Sequence, residues 1–90
     1  MNKIQEYFIL RKLKPTFKEF EKQAKKYFNE SLCAINYDVY HQDNIIWGKI
    51  LTNLDVETAW EMIDKMDREW FFKLNYKYKK YFNYNVEFKL

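Results

Sequence analysis

The segment LNYKYKKYFNYNVEFKL, residues 74–90, has the strongest pattern in the sequence. Apolar and polar residues alternate along it, with the apolar residues at even positions. Successive side chains of a strand point to opposite faces, so the pattern predicts extended chain with one face in a core. Lys80 interrupts the apolar face, and Tyr81 is the one large ring on the polar face.

The length of this segment requires a break. A strand over 74–90 would span roughly 60 Å, whereas a folded chain of 90 residues has a radius of gyration of ~12 Å. Lys80 is the expected break. The sequence predicts a final strand over 83–89 and an irregular or extended stretch over 73–82. Leu74, Tyr78 and Tyr81 also fit helical spacing, so an extension of the preceding helix is the alternative for 73–82.

Residues 53–72, directly upstream, predict that helix. It should start between Asn53 and Asp55 and end near Phe72, with Asp55 and Glu57 at the positive end of the helix dipole. Its apolar residues recur at helical spacing and form a stripe that suits a core: Val56, Ala59, Trp60, Ile63, Met66 and Trp70.

Residues 33–51 predict a β-hairpin. Apolar residues alternate over 33–39, polar turn residues occupy 41–44, and 45–51 reads as the returning strand. Gly48 within that strand indicates a bulge or a point of close packing.

The N-terminal part predicts a strand followed by a helix. Four consecutive apolar residues within 4–12 suit a strand buried on both faces, and a short helix is the competing interpretation. Pro15 then precedes Thr16 and Glu19, which match a capping box at the start of a helix that ends near Asn29. Its apolar stripe would be Phe17, Phe20, Ala24, Tyr27 and Phe28.

The predicted order is therefore strand, helix, strand, strand, helix, strand. With right-handed crossovers this order gives an α+β, ferredoxin-like βαββαβ sandwich, in which a four-stranded antiparallel sheet carries both helices on one face. Ninety residues suit a single domain, 1–90.

Composition restricts the class of protein. The single cysteine allows no intramolecular disulfide, and no signal peptide or apolar run near 18 residues is evident, so a cytoplasmic protein without a membrane role is expected. The net charge is +3, with an acidic excess over 53–72 and a basic excess over 73–90. Fourteen Lys and only two Arg also match an AT-rich coding background, which weakens arguments from lysine abundance.

Residues with catalytic chemistry are few and scattered. His41 lies in the predicted turn, and Cys33 lies on the apolar face of a predicted strand. Glu57, Glu61 and Asp64 could share Mg²⁺, but flanking cations favour a salt-bridged helix face. We therefore predict no catalytic residue, no metal, no cofactor and no small-molecule substrate, and we do not expect an enzyme.

A binding role fits the aromatic content better. With 21% aromatic residues, two helices are too few to cover every ring, and an exposed apolar patch on a small domain marks a partner surface. The leading prediction is a non-enzymatic protein–protein interaction domain, homodimerisation included, that acts through Trp47, Tyr76, Tyr78 and Tyr81. The acidic 53–72 and the basic 73–90 could also pair across a two-fold interface.

The alternative is a domain that binds single-stranded RNA or DNA through the segment 73–82. Bases would stack on the same tyrosines while Lys77, Lys79 and Lys80 hold phosphates. The glycine-flanked aromatics of the RNA-recognition consensus are missing, and arginine is scarce.

Overall fold

A computed structural model describes residues 2–89, and Met1 and Leu90 lie outside the described residues, so the ends of the predicted domain 1–90 are not covered. The main elements, in chain order, are α1 Lys3–Phe28, β1 Leu32–Tyr40, β2 Ile45–Thr52, α2 Val56–Glu69, α3 Tyr76–Lys79 and β3 Phe82–Phe88. Single 3₁₀ turns, Asn29–Ser31 and Phe71–Lys73, follow the two long helices.

The three strands form one mixed sheet in the order β1-β2-β3. β1 is antiparallel to β2, and β3 is parallel to β2. Gly48 in the central strand lies opposite Tyr37 on one side and Tyr84 on the other. The four-stranded antiparallel sheet of the ferredoxin-like prediction is therefore wrong, although the protein is α+β overall.

The long helix α1 is the reason for that error. It covers both the strand predicted over 4–12 and the helix predicted from Thr16. It begins with a capping box at Asn2, whose side chain accepts from the Gln5 backbone N–H at 2.8 Å while the Gln5 side chain accepts from the Asn2 N–H at 3.1 Å. Thr16 is buried in mid-helix and caps nothing.

Core packing explains why helix replaces strand here. Leu13, Thr16, Phe20, Ala24 and Phe28 recur every three or four residues on the buried side of α1, and Ile9 packs against the same core. A helix therefore places Ile9 and Leu13 inside together with Phe20. A strand buried on both faces would also have buried Tyr7 and Phe8, and both are exposed.

The missing first strand changes the sheet. β3 lies directly beside β2, and α2 makes the crossover that a parallel pair of strands needs. The hairpin, the second helix and the final strand were predicted with the correct type and with nearly the correct ends. Residues 73–82 are neither extended nor a continuation of α2. Four of them, Tyr76–Lys79, form the separate turn of helix α3 with Lys80 as its C-cap, and most of the others are irregular, as one of the two predicted forms has it.

Both long helices pack on one side of the sheet. Alternate residues of β2, from Ile46 through Gly48 to Ile50, are buried on that side. Phe20 of α1 lies at the centre of the core, with its ring centroid 5.3 Å from those of Phe82 and Tyr84 and 6.2 Å from that of Trp70.

Cys33 departs from the sequence prediction because of an irregularity in β1. The pairing register with β2 shifts between Leu32 and Ala34. Cys33 is consequently exposed rather than buried on the apolar face.

Candidate interaction surface

The first turns of α1 carry a cluster of exposed apolar side chains. Ile4, Tyr7 and Phe8 are 69%, 58% and 61% exposed, and their spacing of i, i+3 and i+4 places them on one face of the helix. The Tyr7 and Phe8 rings touch edge to face at 5.7 Å. We call these three residues the apolar tip. They point away from the core, since the buried stripe of the described part of α1 starts only at Leu13.

The same outward face continues as a row of cations. Steps of three or four residues lead from the apolar tip along an exposed series that we call the basic ridge: Arg11, Lys14, Lys18, Lys22 and Lys25. At 1.5 Å per residue the ridge is about 21 Å long. Pro15, next to Lys14 in the chain, is exposed as well.

The acidic residues in this half of α1 lie off the ridge and are engaged elsewhere. Glu19 accepts a hydrogen bond from the Gln23 side chain at 2.9 Å. Glu21 accepts one from the Tyr37 hydroxyl, also at 2.9 Å. Within residues 2–89 no carboxylate forms an ion pair with a ridge cation, so the ridge presents a run of positive charge to solvent.

An open cleft of about 230 Å³ adjoins the apolar tip. Phe8 and Ile9 line it from α1, Asn44 from the β1–β2 turn, and Tyr81 from the end of the segment 73–82. Tyr81 is the predicted site residue that the fold brings beside the tip. Two cations lie near its half-buried ring: the Lys12 Nζ is 5.4 Å and the Lys80 Nζ 4.9 Å from the ring centroid.

The other predicted residues of 73–82 differ in accessibility. Tyr76 is 74% exposed, whereas Tyr78 is half-buried with the Lys77 Nζ 5.0 Å from its ring centroid. Lys79 donates to the Phe72 carbonyl at 3.0 Å, so its ammonium group is engaged within the chain. Tyr76 is thus the tyrosine of this segment with a largely free ring.

Trp47 lies in a different environment, on the side of the sheet opposite the long helices. Its ring is half-buried, 6.2 Å from that of Tyr40, and the Lys49 Nζ is 5.8 Å from its centroid. Lys49 also pairs with Asp38 at 3.9 Å and with Glu87 at 3.6 Å, so its charge links all three strands. This face is therefore a polar network with a few rings rather than an open aromatic platform.

The structure makes two tyrosine hydroxyls less acidic than usual, because it raises their pKa values. Burial raises the pKa of Tyr84 well above its usual range, and the hydrogen bond that its hydroxyl donates to Asp67 adds to this. Burial and then Glu21 likewise raise the pKa of Tyr37. Conversely, the Thr58 hydrogen bonds hold the pKa of Asp55 below its ordinary value of 3.8, because they stabilise the capping carboxylate of α2.

The candidate catalytic residues of the sequence do not converge. His41 is exposed in the β1–β2 turn, and Cys33 is exposed near the start of β1. Within residues 2–89, no group of three or more His, Cys, Asp or Glu side chains is placed to hold a metal ion. Nor does any helix in that range have the length and apolar character needed to cross a membrane.

Comparisons with protein-family models, curated proteins and solved structures found no match to this chain. The surface must therefore be interpreted from its own chemistry. The sequence did not predict the apolar tip or the end of the basic ridge at Arg11 and Lys14, because 4–12 was assigned to a buried strand. The detectable signal was the helical spacing of Ile9, Leu13 and Phe20, together with the Asn2–Gln5 cap.

Proposed function

We propose that this chain is a small non-enzymatic protein–protein interaction domain whose docking surface is the outward face of α1. The observation that carries the proposal is the apolar tip, since three large side chains project from the end of a helix whose core contacts begin further along. Anchors at i, i+3 and i+4 are typical of a helix that inserts into an apolar groove of a partner. The basic ridge favours an acidic rim around that groove.

The other predicted contact residues enter this proposal to different degrees. Tyr81 borders the cleft beside Phe8 and would contact a partner seated on the tip. Tyr76, Tyr78 and Trp47 remain predictions of a wider contact area. A cytoplasmic location is part of the proposal, because an exposed lone cysteine suits a reducing compartment.

Site-specific photo-cross-linking in the source cells tests the docking surface. A photoreactive phenylalanine analogue at Tyr7 should give a discrete adduct with another protein, and changing Ile4 and Phe8 to Ala should abolish it. The matched control is the same analogue at Trp60, which is an exposed aromatic on α2. Equal adducts from both positions, or none from position 7, would contradict the proposal.

Nucleic-acid binding is a second candidate because the basic ridge gives it a specific surface. Five cations along one helix face could follow a phosphate backbone, whereas the predicted stacking segment 73–82 offers mainly Tyr76 as a free ring. If the ridge makes the contacts, replacing Lys14, Lys18 and Lys22 with Gln should lower the salt dependence of oligonucleotide binding by about two to three units of log–log slope. The same change at Lys77, Lys79 and Lys80 should have a smaller effect. No binding to mixed DNA or RNA at low salt would remove this candidate.

A further inference from the structure

The two edges of the sheet are protected to different degrees. Ile46 N–H donates to the Tyr81 carbonyl and Lys89 N–H donates to the Thr52 carbonyl, so odd-numbered residues of β3 turn their backbone groups toward β2. The intervening residues turn theirs outward. Two of these outward N–H groups are capped by side chains of the same strand. The Tyr84 N–H donates to the Asn83 Oδ1 and the Val86 N–H donates to the Asn85 Oδ1, each at 2.8 Å. Such capping hinders addition of another strand.

The edge formed by β1 lacks this protection. After the register shift at Cys33, residues 34–40 pair regularly with β2 and leave their other edge free. The stretch AINYDVY contains no Lys, Pro or Gly, and Asp38 is its one charge. Asn36 makes no backbone cap of the kind seen on β3 within the described residues. A long, weakly charged edge with unpaired backbone groups is a template for another strand.

The side chains of 34–40 are complementary to themselves in an antiparallel pair centred on Tyr37. On the helix side, Ile35 would lie opposite the partner's Val39, and Tyr37 opposite the partner's Tyr37. On the other side, Asn36 would lie opposite the partner's Asp38, and Ala34 opposite the partner's Tyr40. Apolar residues meet apolar residues, an amide meets a carboxylate, and a small side chain meets a large one, with no like charges in register.

We propose that β1 is a dimerisation strand, and that two copies of this chain join β1 to β1 antiparallel across a two-fold axis. The two three-stranded sheets then form one six-stranded sheet. Pairing would cover Tyr37 and Tyr40, which are 37% and 43% exposed on the free edge. The interface is separate from the apolar tip, so the inference does not depend on the docking surface proposed for α1.

A nearly isosteric substitution tests the register. Asn36→Asp places a carboxylate opposite the partner's Asp38, and the two-fold axis repeats this pair of like charges once more. Their repulsion should raise the dissociation constant of the dimer about fivefold or more. Within one chain Asn36 lies opposite Lys49, which would accommodate the new charge. In the double variant Asn36→Asp/Asp38→Asn, each facing pair again contains one carboxylate and one amide, so the wild-type association should be recovered. Sedimentation over a dilution series would measure both, with the dimer at twice the 11.3 kDa of one chain.

Cross-linking gives an independent measurement. In a Cys33→Ser background, mixing the Asn36→Cys and Asp38→Cys proteins should form a disulfide heterodimer far faster than either protein alone, because facing residues lie within disulfide range. The control is Glu87→Cys on β3, an exposed position whose replacement keeps the Asn83 and Asn85 caps, and it should form a disulfide dimer much more slowly. A strict monomer at all concentrations would overturn the proposal. So would a dimer that resists Asn36→Asp but is lost when Ile4 and Phe8 become Ala, since that dimer would use α1.

Discussion

Gly48 is the residue on which the packing of α1 against the sheet depends. A Cβ atom there would lie 2.5 Å from Cε2 and 2.8 Å from Cζ of the fully buried Phe20 ring. We expect Gly48→Ala to lower the free energy of unfolding by about 1–3 kcal/mol, because the ring must move within a dense core. Urea denaturation would measure the loss. Of the two sequence interpretations of Gly48, close packing is confirmed, and the register shift lies elsewhere, at Cys33.

A double-mutant cycle identifies the cause of that loss. Phe20→Leu removes the ring edge that the new methyl group meets, so Gly48→Ala should cost less in the Phe20→Leu background than in the wild type. An unchanged cost would show that the steric contact with Phe20 is not responsible.

Tyr84 should make the protein sensitive to alkali. Its ordinary pKa is 10.0 and the folded state raises it, so above that pH the unfolded chain releases a proton that the folded chain keeps. The contribution of this hydroxyl to the free energy of unfolding is fully present below its pKa in the unfolded chain. Above that pH the contribution falls by up to ~1.4 kcal/mol per pH unit. Tyr84→Phe should cost about 1 kcal/mol at neutral pH and flatten the alkaline decline, as seen by denaturation from about pH 8 to about pH 11. Tyr76→Phe, which alters a tyrosine that is 74% exposed, is the comparison, and a decline as steep in Tyr84→Phe as in Tyr76→Phe would contradict the assignment.

At the scale of elements, hydrophobic patterning predicted the hairpin, α2, the final strand and the part of α1 after Pro15, but not the start of α1. Buried residues recur at every second position in the hairpin and at every third or fourth position in α2, and the structure contains both elements. The pattern of 4–12 was misleading because its four apolar residues point in different directions on a helix. Ile9 turns inward, while Tyr7 and Phe8 turn outward. Pro15 strengthened the error, since proline more often precedes a helix than lies within one.

Pro15 provides a direct test of α1 as one continuous helix. Its nitrogen cannot donate to the Arg11 carbonyl, and proline is about 3 kcal/mol less favourable than alanine in a helix interior. We expect Pro15→Ala to raise the free energy of unfolding by about 1–3 kcal/mol. Lys14→Ala, on the same exposed face, should change it by less than about 0.5 kcal/mol. A Pro15→Ala protein with unchanged stability would favour a chain break at Pro15, as the strand–helix interpretation requires.

At the scale of the molecule, the candidate site depended on how elements meet. The acidic and basic segments 53–72 and 73–90 were visible in the sequence, and so were Lys18, Lys22 and Lys25 on the polar side of the helix predicted from Thr16. The continuation of the ridge to Arg11 and Lys14 was not, because it requires the helix to run unbroken past Pro15. Tyr81 was chosen as an aromatic in a basic segment. That it lies beside Phe8 follows only from the packing of the segment 73–82 against α1, which no local pattern encodes.

The length of α1 predicts that its tip is dispensable for folding. Its 26 residues extend about 39 Å, close to the longest dimension of the molecule, 38 Å. A chain that begins at Ile9 keeps every residue of the buried stripe from Leu13 to Phe28. It should fold with a loss of about 1 kcal/mol from removal of the Asn2 cap. Circular dichroism should show nearly two helical turns fewer, with cooperative unfolding retained.

The same truncated chain separates the two interaction surfaces. It should lose any partner bound through the apolar tip, while the β1–β1 association, measured by sedimentation, should be unchanged within about twofold because no residue of that strand is altered. An unfolded truncated chain would show that the tip belongs to the core. A folded truncated chain that still binds the α1 partner at full strength would place the docking surface elsewhere.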